Sequence, residues 1–165
     1  MKYYISADIE GVAGSLDWNE TDRSHGDYAK FAVEMTLEVA ALCEGILSQD
    51  SKADILVHDA HDSGRNIDHR LLPEGVRLLR GWMGSPLSMI DDIDETYDAL
   101  LFVGYHQGAG LSGNFLAHTM NTSLSEIRLN GKKTTEYQLH KLAAACFGVP
   151  TVLLSGEKIC VVKLR

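Results

Sequence analysis

Three apolar, strand-like runs in this chain of 165 residues each end in side chains able to ligate a metal ion. They are Ile5-Ser6-Ala7-Asp8-Ile9-Glu10-Gly11, Ile55-Leu56-Val57-His58-Asp59-Ala60-His61 and Leu101-Phe102-Val103-Gly104-Tyr105-His106. Asp8 and Glu10 are two positions apart, so in extended chain their carboxylates point to the same side. Two carboxylates held together repel unless a cation or a proton lies between them. Taken singly, each run has an ordinary explanation: an acid pair at a strand end is a solvated turn, and a lone histidine is a satisfied structural residue. Taken together, three strands ending in ligand chemistry point to one divalent-ion site. Carboxylates mixed with imidazoles suit zinc and other borderline ions. His58 shares the run of His61, and Asp59 is a candidate to orient a ligating imidazole from behind.

Two further residues belong with these. Glu136 falls in the first turn of a helix opened by Thr134-Thr135, where an acid complements the helix dipole or aims its carboxylate at a crevice. His118 lies in the loop Phe115-Leu116-Ala117-His118-Thr119-Met120. If that loop folds over the metal edge, His118 becomes a candidate acid, base or transition-state donor. His25, His69 and His140 have no such setting.

The elements that must position these groups alternate. Strands are expected at Tyr3–Ala7, Ala53–Val57, Ala99–Val103 and Thr151–Leu154, while Leu72–Leu79 is ambiguous, with Val76–Leu79 a candidate short strand. Apolar residues at Tyr28, Phe31, Met35, Val39, Leu42 and Ile46 recur in helical steps and share a face. Ser85–Ile93 reads as a short helix. Thr135–Phe147 reads as a longer one, with Leu139, Leu142, Ala143 and Cys146 inward and Gly148 and Pro150 as its stop. Glu126–Leu129 with Asn130-Gly131 suggests a strand and tight turn, and 107–124 is loop. Strands alternating with helices give the α/β class, a mostly parallel sheet flanked by helices. In such a sheet the C-terminal strand ends share one edge, and ligands bind in the crevice outside it. The metal site is therefore expected at that edge.

Composition narrows the function classes. Fifteen Lys and Arg against 23 Asp and Glu give a net charge of −8, with no basic cluster, which disfavours nucleic acid. No apolar run approaches the roughly 20 residues of a membrane span. The start reaches Asp8 without a signal-peptide core. Cys43, Cys146 and Cys160 are an odd number without CxxC spacing, so a reducing cytoplasmic setting is expected. Cys43 and Cys146 are expected as inert core thiols. Gly11-Val12-Ala13-Gly14-Ser15 lacks the spacing of a phosphate loop, and Asp8 and Glu10 would repel a bare phosphate.

The sequence resembles the DppA-type D-aminopeptidases, a zinc metallopeptidase family. The matching blocks are Ser6 to Gly14, Val57-His58-Asp59-Ala60-His61, Leu101 to His106, Ala117-His118-Thr119-Met120, and Asn130-Gly131 followed by Glu136, from Met1 to about Glu157. By that resemblance two zinc ions bind to Asp8, Glu10, His61, His106 and Glu136, with Asp8 bridging. Glu10 and His61 would serve one ion, His106 and Glu136 the other, and His118 would be the catalytic residue. The resemblance further implies removal of an N-terminal D-amino acid from short peptides and a ring-like homo-oligomer. A zinc pair acidifies water by itself, so His118 is favoured as proton shuttle or oxyanion donor over nucleophile.

The chain is thus expected to be a single α/β domain over residues 1–165 that lacks the family's C-terminal region. The segment from Lys158 to Arg165 does not align with the family and is a candidate edge strand. Two other readings compete with a dizinc aminopeptidase. One is a dinuclear hydrolase of another amide or a phosphoester. The other is a non-catalytic, shortened metal-binding subunit.

Overall fold

The computed structural model describes residues 1–163. Strands β1 (Lys2–Ala7), β2 (Asp54–Asp59), β3 (Arg77–Leu79), β4 (Ala99–Tyr105) and β7 (Thr151–Gly156) form a five-stranded sheet of order β3-β2-β1-β4-β7. Every pairing in it is parallel. Strands β5 (Arg128–Leu129) and β6 (Lys132–Lys133) make a separate hairpin around Asn130-Gly131. The expected α/β class and parallel sheet are therefore observed, and β2 and β4 run two residues further than the apolar pattern alone indicates.

Alternation along the strands supplies both cores. Ile5, Val57, Leu101 and Val103 face helix α1 (Tyr28–Gln49), which answers with Phe31, Met35, Val39 and Cys43. Tyr4, Leu56, Leu100 and Phe102 face the other side, against Met89, Ile90, Tyr137 and Ala144. All seven residues of β4 are buried, as a central parallel strand covered on both faces requires.

Helix α2 (Glu136–Ala145) is capped by Thr135, whose hydroxyl accepts from Gln138 N, while the Gln138 side chain returns to Thr135 N. Its inward face is only partly the expected one: Ala143 packs against the core, and Leu139 is half-buried. Glu136, Tyr137, His140 and Ala144 are buried, while Leu142 and Cys146 are exposed. Tyr137 packs edge-on against Phe102, and His140 Nδ1 contacts the Glu136 carbonyl at 2.7 Å. Polar residues win that face because it borders the strand edge. Cys43 does behave as a core thiol, and burial pushes its pKa up to about 12.

Ser85–Ile93 forms only a single 3-10 turn, Ser88–Ile90. Ser88 and Asp92 take left-handed φ values of 48° and 67°, which interrupt any longer helix. Lys158–Lys163 is a short helix, α3, rather than an edge strand. Leu164 and Arg165 lie outside the described residues.

Candidate metal centre

From β1 the chain leaves through α1 to β2 and β3 on one side, whereas β4 pairs on the other. The crevice between β1 and β4 is therefore the place where an open α/β sheet holds a ligand. Asp8 follows β1 directly and His106 follows β4 directly. Their loops are pressed together by Asp8 N–H donating to Val103 O (2.9 Å) and Gly11 N–H to Gly104 O (2.7 Å). Only glycine permits this approach. A Cβ on Gly104, whose φ is +73°, would sit 2.0 Å from Asp8 O, and one on Gly11 would sit 2.1 Å from Tyr105 O. The glycines of the E-G and G-Y-H blocks are thus what bring acid and imidazole together.

The side chains meet around Asp8. Its Oδ1 lies 3.2 Å from His61 Nδ1, and its Oδ2 lies 3.4 Å from His106 Nε2. Glu10 Oε2 is 3.1 Å from His61 Nδ1, and Glu136 Oε2 is 3.2 Å from His106 Nε2. All five residues are buried. The His118 loop folds over this edge. His118 stacks on His106 at 4.3 Å with the rings 6° from parallel, and its Nε2 is 3.6 Å from Glu136 Oε1. Thr119 Oγ1 fixes the loop by accepting from Ala109 N and donating to Thr134 O, while Met120 N donates to Glu136 Oε1 at 2.6 Å.

The three histidines are pinned in the same manner. His61 Nε2 faces Thr21 O (2.8 Å), His106 Nδ1 faces Gln107 O (2.9 Å) and His118 Nδ1 faces Leu116 O (2.9 Å). A carbonyl only accepts, so each of those nitrogens must donate, and the other ring nitrogen is left turned toward the carboxylates. This is the arrangement in which metal-ligating imidazoles are commonly held. Glu10 Oε2 and His106 Nε2 are buried with no hydrogen-bond partner, although each lies close to an oppositely charged group. Asp8, Glu10 and His106 offer ligand atoms within 4.8 Å of one another, as do His106, His118 and Glu136. Three buried carboxylates with oriented imidazoles thus fit divalent cations, zinc among them.

Charge balance supports the same view. Burial alone would raise the Asp8 pKa, yet the adjacent imidazoles of His106 and His61 hold it well below the usual carboxylate range. Burial, aided by the charge of Asp8, raises that of Glu10. Burial opposes a charge on His61 and on His106, but Glu10 and Asp8 outweigh it for the first, and Glu136 and Asp8 for the second. Both imidazoles are raised well above their ordinary value. Without a metal, protons provide the counter-charge.

Asp59 does not orient an imidazole. Its carboxylate accepts from Asn66 N and Ile67 N, and Asn66 Nδ2 in turn donates to His61 O, so Asp59 shapes the loop after β2. A cavity of about 630 Å³ opens onto the centre, lined in addition by Trp18, Thr21, Trp82, Met89 and Met120. No motif in the sequence marks Trp18, Thr21, Trp82 or Met89. The signal available was that both of the chain's tryptophans fall in or beside segments otherwise rich in turn residues.

A parallel α/β sheet thus carries a cluster of carboxylates and imidazoles at its topological switch point, an arrangement suited to holding divalent ions. The whole chain, residues 1–165, matches the model of peptidase family M55, described as D-aminopeptidase, and the chain belongs to that family. A D-aminopeptidase of Bacillus subtilis (strain 168) is 29% identical over 157 residues, which are 95% of this chain and 56% of that one. The solved structure of the Zn-dependent D-aminopeptidase DppA from Bacillus subtilis, described as a self-compartmentalizing protease, superposes with a TM-score of 0.90 at 26% identity. It covers 99% of this chain and 58% of its own. The chain thus spans somewhat more than half the length of these relatives.

Proposed function

We propose that the protein is a dizinc aminopeptidase that removes the N-terminal residue, a D-amino acid, from short peptides. The observation that carries this reading is the common pinning of His61, His106 and His118. Each gives one nitrogen to a backbone carbonyl and turns the other to the buried carboxylates. Asp8 would bridge the two ions, with Glu10 and His61 on one and His106 and Glu136 on the other. The pair would supply Lewis acidity that polarises the scissile carbonyl and lowers the pKa of a bound water.

The chain's own groups account for the remainder. Leu116 O fixes His118 with its Nδ1 protonated, so Nε2 is free to accept a proton at the crevice and pass it to the leaving amine. Stacking on His106 and contact with Trp18 hold that ring in place. The D-preference comes from the family and its relatives, since a D-specific pocket and an L-specific one can share these ligands.

We also infer a ring-like homo-oligomer, by analogy with the self-compartmentalizing relative. We infer a cytoplasmic setting from three free cysteines. No helix among the described residues is long and apolar enough to cross a membrane. Residues 1–165 are read as a single domain.

Anomalous scattering at the zinc edge, with hydrolysis assays on D-alanyl amide, L-alanyl amide and a phosphoester, tests the reading. Two peaks flanking Asp8 and turnover of the D-alanyl amide are expected. Phosphoester turnover alone would replace the peptidase reading, and two ions without any hydrolysis would leave a metal-binding subunit.

A further inference from the structure

We propose that Trp82, backed by His58 and flanked by Met89, selects the side chain of the substrate's first residue and favours aromatic and large aliphatic groups. The inference rests on the aminopeptidase reading. The chain has two tryptophans, and both line the cavity at the metal centre. They are held differently. Trp18 meets His118 at 5.3 Å and also lines a second cavity of about 680 Å³, together with His118, Phe115 and Leu124. Neither Trp82 nor Met89 lines that second cavity. The wall they form belongs to the metal side alone, where the first residue must sit if its carbonyl is to reach the centre. The second cavity, across His118, is left for the departing portion.

Trp82 is 42% exposed but is held by two contacts. Its indole N–H donates to Asp62 O at 2.6 Å, and its ring meets His58 edge-on at 5.5 Å and 73°. His58 is fully buried at the end of β2. Its Nδ1 contacts Met89 O at 3.1 Å, and its other side meets Tyr4. Met89 O also accepts from Ser6 Oγ at 2.6 Å, which ties the wall to β1 as well. Burial lowers the His58 pKa, which favours the neutral ring behind Trp82.

The backbone bears strain to keep this shape. Among the described residues five non-glycines have left-handed φ, and three of them, Asp62, Ser88 and Met120, line this cavity. Asp62 provides the carbonyl that anchors Trp82, and Ser88 immediately precedes Met89. Strained positions persist only where the surroundings over-determine them, and they concentrate at ligand clamps. Met120 N donates to the proposed ligand Glu136, whereas Asp62 and Ser88 adjoin the wall of Trp82 and Met89 and are not among the proposed ligands.

In a hydrophobic pocket, a single methylene changes kcat/KM by roughly 10–200-fold. The zinc-loaded protein is assayed on D-alanyl and D-phenylalanyl amides, with zinc content measured for each variant. Trp82→Ala is expected to lower the ratio of phenylalanyl to alanyl kcat/KM about 10-fold or more, with Trp82→Phe restoring most of it. An unchanged ratio in Trp82→Ala, or a change produced only by Trp18→Ala, would overturn the assignment. A second arm needs no turnover. In Trp18→Phe the remaining emission comes from Trp82, and D-phenylalaninol should shift it at a concentration about 10-fold below that needed with D-alaninol. No shift, or equal concentrations, would overturn the inference. A wild-type protein that hydrolyses no amide defeats the aminopeptidase reading, while the emission arm still decides the role of Trp82.

Discussion

Asp8 divides the centre into two half-sites of closely similar construction. On one side Oδ1 meets His61, which also faces Glu10, and on the other Oδ2 meets His106, which also faces Glu136. Each half has one imidazole pinned by a backbone carbonyl and one terminal carboxylate. They differ in what lies above them. The His106 half carries the stacked His118, whose Nε2 approaches Glu136. The His61 half is closed by the turn at Thr21 and has no second imidazole. The symmetry suits the proposed binding of two ions, and the asymmetry is why the proposed proton transfer is placed on the His106 side.

The largest expected effect comes from removing the shared member. Asp8→Asn should lose both ions and all turnover, read as zinc per chain by elemental analysis. The loss in affinity should exceed the 10–100-fold typical of removing an outer-shell partner. Retention of two ions would show that Asp8 does not bridge. Next come the halves taken singly. Glu10→Gln and Glu136→Gln should each lower zinc from two ions per chain to one. Glu136→Gln should in addition weaken the hold on the His118 loop, because Met120 N donates to that carboxylate. Loss of both ions from either variant would mean that the halves are not independent. His118→Ala is milder for the metal and severe for the chemistry. Two ions should remain, with kcat lower by about 10²–10⁴. Loss of an ion would make His118 a ligand, an outcome its closeness to Glu136 and His106 renders testable.

The two halves were not equally legible in the sequence. Asp8, Glu10, His61 and His106 each follow an apolar run, so a parallel sheet alone suffices to bring them to one edge. Glu136 and His118 carry no such signal. An acid in a first helical turn has an ordinary dipole role, and a loop histidine is placed by contacts of Thr119 and Met120 that no local pattern encodes. The same limit explains the misjudged face of α2. Periodicity counts Leu142 and Cys146 as inward, but the helix turns Glu136 and His140 toward the strand edge. Hydrophobic patterning does not register burial driven by a polar site. The placing of Trp82 has no local signal, because it depends on the carbonyl of Asp62 in a left-handed turn and on His58 in a distant strand.

The smallest effect expected is a titration, and it bears on both halves. Metal binding requires neutral imidazoles, while in the metal-free protein the acids around His61 and His106 raise both pKa values well above the ordinary one. Each ring therefore holds a proton at neutral pH that an incoming ion must displace. Zinc affinity should fall as pH is lowered and rise with pH until the imidazolium protons are gone. Mixing zinc with the metal-free protein in weak buffer should release protons, followed by a pH indicator or by calorimetry in buffers of different ionisation enthalpy. His61→Ala should reduce that release by about one proton per chain and leave the His106 half still responsive to zinc. If the release in His61→Ala equals that of the unaltered protein, the counter-charge in the His61 half is held elsewhere, and the two half-sites differ in their charge balance as well as in what covers them.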